Sequence, residues 1–196
     1  MKYSNVFCTP VWEFNLDECY YLNKKISNCA YRLINNSPDL PRRSGSRKSW
    51  QSAVNCHVEP EIKEFLPFLG SCFSQISTEL SDEEGWRLGL REIWINVNSP
   101  QSYNHPHTHN GSHISGVYVV KKPIDSGDFF MYDPRVQING IVEPKTTMEK
   151  RLKIYNMKEG DILFFPSWLT HSVDLNNSNE DRITISFNLN WTNKPS

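Results

Sequence analysis

The last regular stretch of the chain limits its fold more than any other. From Arg182 to Leu189, the apolar Ile183, Ile185, Phe187 and Leu189 alternate with Arg182, Thr184, Ser186 and Asn188. Successive side chains of a strand point to opposite faces, so this strand has one oily face and one polar face. An arginine on the inward, polar face of a barrel is costly unless an anion meets it. Its planar donors match the two oxygens of a carboxylate, and a hydroxyl two residues on can add a third bond. Arg182 and Thr184 are therefore candidates for holding a carboxylate.

Other segments supply neighbours for such a strand. Residues 86–97 are rich in Trp, Ile and Val, as expected of a strand covered on both sides. Residues 114–120 and 128–132 read as strands, and 152–157 and 161–165 as short strands joined by a hairpin-like Lys158-Glu159-Gly160 link. The stretch 98–103 reads as a turn and 135–151 as a long excursion. In the first half, residues 6–14 read as an edge strand around Pro10, and 15–33 as a helix capped within residues 15–17. Ile62, Phe65, Leu66, Leu69, Phe73, Ile76 and Leu80 recur at helical spacing, a stripe that packs on something flat. Pro67 and Gly70 predict a kink or break in that helix. Between the helices, residues 35–49 turn to Asn, Ser, Pro, Gly and Arg and read as a polar loop carrying Arg42, Arg43, Arg47 and Lys48. Two helices followed by short strands predict a mainly β, α+β fold: an antiparallel sandwich or jelly roll with helices against one sheet. We expect one domain over residues 1–196, with 1–85 as support and 86–191 as the catalytic jelly roll.

Bulk properties weigh against some classes. A chain of 196 residues can bury roughly 70% of its unfolded surface in one domain. A formal charge of -1 argues against a dedicated nucleic-acid binder. No stretch approaches the ~18 apolar residues of a membrane span, and no secretory apolar core opens the sequence. The five cysteines, Cys8, Cys19, Cys29, Cys56 and Cys72, form no C-x-x-C pair and suit the reduced thiols of a cytoplasm.

Four of the six histidines sit in two places, the run His105-Pro-His107-Thr-His109 and His171. On a strand, His107 and His109 share a face and can aim two imidazoles at one point. A third nitrogen from His171 would close a metal site on one side and leave positions open, as a redox metal that binds oxygen requires. Imidazole suits iron and zinc alike, so spacing does not choose the metal. Residues 160–166 form an apolar run that delivers His171 to a strand end, and Arg182 follows eleven residues later.

Taken together, residues 107–109 (His-Thr-His), 115–118 (Ser-Gly-Val-Tyr), 126–135 (Ser-Gly-Asp-Phe-Phe-Met-Tyr-Asp-Pro-Arg), 160–171 (Gly-Asp-Ile-Leu-Phe-Phe-Pro-Ser-Trp-Leu-Thr-His) and 182–188 (Arg-Ile-Thr-Ile-Ser-Phe-Asn) resemble the 2-oxoglutarate/Fe(II)-dependent dioxygenase superfamily. The nearest likeness is to a family of small oxygenases of bacteria and marine phages that shows His-x-His. It is strong over residues 86–191 and weaker at 9–12 and 49–52. The resemblance implies a double-stranded β-helix with Fe(II) and 2-oxoglutarate as cofactors. It also implies hydroxylation of a C–H bond while 2-oxoglutarate is decarboxylated to succinate. By position it implies His107 and His171 as iron ligands, and His109 where the superfamily carries Asp or Glu. It implies Arg182 and Thr184 at the far carboxylate of 2-oxoglutarate, with Asn96 nearby. It also implies a co-substrate-binding hydroxyl on the strand of Ser115 and Tyr118, where alternation lets only one face inward, and Ser115 is the candidate. Arg135 is a candidate for substrate or co-substrate contact or for a structural ion pair, and Trp168 for packing the site wall ahead of touching substrate.

The imidazole at 109 departs from the expected carboxylate. Three neutral imidazoles leave iron with a higher net charge, which shifts its redox behaviour and metal preference. The alternative is that His109 stands behind the ligands and water or another group is the third. Two further readings compete: a cupin-like metalloenzyme that does not use 2-oxoglutarate, and a noncatalytic metal-binding barrel. The expected partners are O2 and a protein side chain or small molecule. A second copy of the chain could cover the oily edge near the N-terminus.

Overall fold

The computed structural model describes residues 2, 4, 6–38, 46–81, 85–135 and 152–193. In chain order the elements are β1 (Trp12–Asn15), α1 (Leu22–Asn36), β2 (Ser46–Gln51), α2 (Pro60–Leu80), β3 (Trp86–His107), β4 (Ile114–Lys121), β5 (Phe129–Tyr132), β6 (Leu152–Tyr155), β7 (Asp161–Pro166), β8 (His171–Val173) and β9 (Arg182–Asn193). Every strand pairing is antiparallel. The order is β1-β7-β4-β9-β3-β8-β5-β6, with β2 also paired to β3. β3 belongs to both halves of this curled sheet: Trp86 to Asn98 lie against β9, while Asn104 and His107 lie against β8.

The alternation along β9 works as its sequence predicts. Ile183, Ile185, Phe187 and Leu189 are each 0% exposed and face the helices, among Leu22 and Ile26 of α1 and Ile62, Phe65 and Leu69 of α2. Burying each such side chain stabilises the fold by about 1.5–3 kcal/mol. Val117, Val119, Leu163 and Phe165, on the other face, form a second core with Phe129 and Met131 of β5. Gly116 lets β4 pass close to β9: a Cβ there would lie 2.4 Å from the Phe187 ring and 2.5 Å from the Leu163 carbonyl oxygen.

Four expectations need correction. The α2 helix runs unbroken through Pro67 and Gly70. Pro67 lies on its exposed face, where water can take the carbonyl that the missing N–H leaves free. Residues 98–103 are no turn; β3 continues through them, bending where Gln101 adopts φ 65°. The amide of Gln101 donates to the Asn176 carbonyl and that of Asn176 to the Ser102 carbonyl, so a loop from beyond β8 satisfies the bend. The polar stretch 35–49 is not all loop, because α1 reaches Asn36 and β2 begins at Ser46. Within that stretch, Arg42 and Arg43 lie outside the described residues, as does most of the 135–151 excursion. Finally, the first helix starts at Leu22 after a short 3-10 turn at Asp17–Cys19, not within residues 15–17. Among the described residues no helix is long and apolar enough to cross a membrane.

Candidate metal and co-substrate site

Strand pairing brings the histidines together. His107, at the end of β3, stands in register with His171 at the start of β8. His109 lies two residues past β3, its amide donating to the Ser167 carbonyl at 2.9 Å. One ring nitrogen from each of His107, His109 and His171 lies within 4.8 Å of the other two, close enough to share a metal ion.

The tautomers suit that role. His107 Nδ1 lies 2.6 Å from the His105 carbonyl and His171 Nδ1 lies 2.9 Å from the Leu169 carbonyl. A carbonyl only accepts, so each Nδ1 carries the proton and each Nε2 keeps its lone pair. His109 Nδ1 meets the Asn188 side-chain oxygen at 2.7 Å and the Ser115 hydroxyl at 3.1 Å. Burial, reinforced by the neighbouring His107, pushes His171 down to about 3, and burial also lowers His107. Both rings are therefore neutral at physiological pH, as ligation requires. Phe165 and Phe129 flank His171, with ring centres 4.7 and 5.6 Å away, and Trp94 stands 5.7 Å from His109.

The other end of the cleft is cationic. Arg182 opens β9 on the polar face, is 1% exposed, and lines the same cleft as the three histidines. Its Nε and Nη2 have no hydrogen-bond partner among the described residues. Burial lowers it to about 10, which still leaves it cationic at neutral pH. Two unused donors on a buried cation fit one end of a dianionic acid, and three imidazoles fit a divalent metal at the other.

Thr184 lines the cleft beside Arg182, as expected. Asn96 also lines it, but its amide is fully committed. Its oxygen accepts from Trp94 Nε1 at 3.0 Å and Gln51 Nε2 at 2.8 Å, and its nitrogen donates to Thr184 at 3.3 Å and Ser186 at 2.9 Å. Asn96 thus organises the wall. Ser115 faces inward, but behind His109 rather than into the cleft, bonded to Ser167 Oγ at 2.7 Å and Asn188 Oδ1 at 2.8 Å. Tyr118 points the other way, its hydroxyl donating to Asn23 under α1. Arg135 is exposed and paired with Asp133, and Trp168 is 57% exposed; neither lines the cleft. Sequence reasoning missed Gln51, whose side-chain oxygen is buried without a partner among the described residues. Beyond the weak likeness at residues 49–52, only its pairing opposite Asn96 marks it, and that required knowing β2 existed.

Comparison with known proteins gives the family and the fold. Residues 92–188 match the family described as "Putative 2OG-Fe(II) oxygenase". No curated protein sequence matches. A prolyl-4-hydroxylase from Pseudomonas putida has the same fold at TM-score 0.67 and 12% identity, over 96% of this chain and 94% of that one. The epimerase SnoN of nogalamycin biosynthesis aligns at TM-score 0.70 and 12% identity, over 95% and 79%. A viral collagen prolyl hydroxylase from Paramecium bursaria Chlorella virus-1, in complex with 2-oxoglutarate, aligns at TM-score 0.59 and 12% identity, over 91% and 94%. The fold is therefore the double-stranded β-helix, and the chain is a dioxygenase of the 2-oxoglutarate/Fe(II) class. Over residues 92–188 it matches the 2OG-Fe(II) oxygenase family just named, and Fe(II) and 2-oxoglutarate are its cofactors.

Proposed function

We propose that His107, His109 and His171 hold Fe(II), and that Arg182 and Thr184 hold the far carboxylate of 2-oxoglutarate. The observation that carries this reading is Arg182: a buried cation with two donors unused among the described residues, in the cleft that the three imidazoles line. A buried guanidinium with unused donors destabilises the interior, and Asp128 offsets only part of its desolvation, so its retention is best explained by an anionic ligand. The same observation disfavours an enzyme that needs no 2-oxoglutarate.

When bound, iron with 2-oxoglutarate supplies the oxidising power for C–H hydroxylation, with succinate as co-product. The protein orients and excludes water. Arg182 and Thr184 fix one end of the co-substrate, Asn96 holds Thr184 and Ser186 in place, and Phe129 and Phe165 keep the His171 side apolar. The substrate we propose is a C–H bond of a protein side chain or a small molecule, reached with O2 from the cleft mouth. A near-neutral chain and four buried free cysteines support work in a cytoplasm, that of a bacterium or a phage-infected host cell. A single domain spanning residues 1–196 and a homodimer through the β1 edge complete the reading.

The test is anaerobic titration of Fe(II)-loaded protein with 2-oxoglutarate, followed by admission of air. The expected result is a metal-to-ligand absorption band, then succinate. No band in the wild type sinks the reading, and a band at unchanged affinity in Arg182→Ala sinks the clamp.

A further inference from the structure

One rung of the polar face runs straight to His109. Glu92 of β3 is in register with Asn188 of β9, which is in register with Ser115 of β4. The direction of each hydrogen bond along it is fixed. A carboxylate only accepts, so Asn188 presents its Nδ2 to Glu92 Oε2, at 3.0 Å. The Asn188 oxygen then faces His109 Nδ1 at 2.7 Å and takes the Ser115 hydroxyl proton at 2.8 Å. An amide oxygen also only accepts, so His109 is protonated at Nδ1 and turns the lone pair of Nε2 away from Asn188. His107 and His171 reach the same tautomer through main-chain carbonyls, which no side-chain substitution can remove. His109 alone depends on side chains for it. Asn188 is 5% exposed, so water has little access to take over its bonds.

We propose that Asn188, oriented by Glu92, is the positioning residue that makes His109 a metal ligand. Glu92 supplies, through two hydrogen bonds, the anionic charge that a set of three neutral imidazoles lacks. Imidazole ligands commonly give their second N–H to an acceptor that fixes the ring and raises its basicity. This inference rests on the metal-binding reading above, and its test separates the two.

Wild type, Asn188→Leu, Glu92→Gln and His109→Ala are titrated anaerobically with Co(II), and the d–d absorption is followed. The Fe(III)/Fe(II) midpoint potential of iron-loaded wild type and Glu92→Gln is measured by voltammetry. Asn188→Leu is expected to weaken Co(II) binding about 10–100-fold and to change the visible band. Glu92→Gln keeps an acceptor for Asn188, so its band should persist while the midpoint moves to more positive potential. A purely structural role would leave that midpoint unmoved. Metal-free melting curves report folding separately, and Glu92→Gln carries the test if Asn188→Leu does not fold. Folded Asn188→Leu with unchanged Co(II) affinity and band overturns the positioning role. An unchanged midpoint in Glu92→Gln overturns the charge role. Wild type that binds no Co(II), or His109→Ala that binds it as tightly as wild type, overturns the underlying metal reading instead.

Discussion

The two ends of the cleft are finished to different degrees. At the histidine end every Nδ1 has an acceptor, and aromatic rings close around His171. At the Arg182 end a fully buried cation keeps two donors unused among the described residues. Hydrogen bonds within the protein preset the first end before any ligand arrives. The second end is incomplete until something anionic enters, so its energetics in the ligand-free protein should run opposite to its role in the complex.

Removing a ligand from the finished end should have the largest effect. His171→Ala is expected to weaken Fe(II) or Co(II) binding by more than ~100-fold, measured by anaerobic titration, because it takes away both a donor and the buried anchor of the triad. Binding within a few-fold of wild type would remove His171 from the site.

The ends should also answer pH differently. His171 is held neutral down to about 3, whereas an unfolded histidine protonates near pH ~6.5. As pH falls through that window the unfolded chain takes up the proton first, so the metal-free protein should lose stability. The loss should approach ~1.4 kcal/mol per pH unit, read from urea unfolding at pH ~7, 5.5 and 4.5. Arg182, at about 10, stays cationic throughout and adds no slope there. A flat profile would mean that His171 is not buried neutral.

Between the ends, β4 and β9 must pass closely. Gly116→Ala drives a methyl group into the Phe187 ring and should cost about 1–3 kcal/mol in thermal unfolding, without a specific effect on either end. The smallest effect is expected at Arg135, an arginine that differs from Arg182 in both respects, exposed and already paired with Asp133. Arg135→Ala should leave 2-oxoglutarate affinity and melting temperature unchanged within error. A large loss of affinity would move the co-substrate contact out of the cleft.

Much of this contrast was legible in the sequence because strand parity is strict. The period of two from Arg182 to Leu189 separates the helix-facing from the cleft-facing residues, and the same parity pairs His107 with His109. The apolar stripe of α2 was equally plain. What stayed hidden depends on contacts distant in sequence. β2 lies in a stretch rich in Ser and Arg, where no alternation announces a strand. The continuation of β3 through residues 98–103 depends on a positive φ at Gln101 and on bonds to Asn176. Asn188 and Glu92 looked like ordinary polar strand positions, and only the register between β3 and β9 gives them a direction. Asn96 was legible as a cleft residue, but not as one whose amide is already spent on four neighbours.

The central claim is that Arg182 is built for an anion from outside the protein, and the melting behaviour of Arg182→Met tests it most directly. The variant replaces a buried, incompletely compensated cation with an apolar chain of similar reach. Without ligand it should unfold at a higher temperature than wild type, with a gain of about 1–3 kcal/mol. With metal and saturating 2-oxoglutarate the order should invert, because wild type alone gains stability from co-substrate binding. A variant less stable than wild type in the absence of ligand, or one that still gains the wild-type shift from 2-oxoglutarate, would contradict the account.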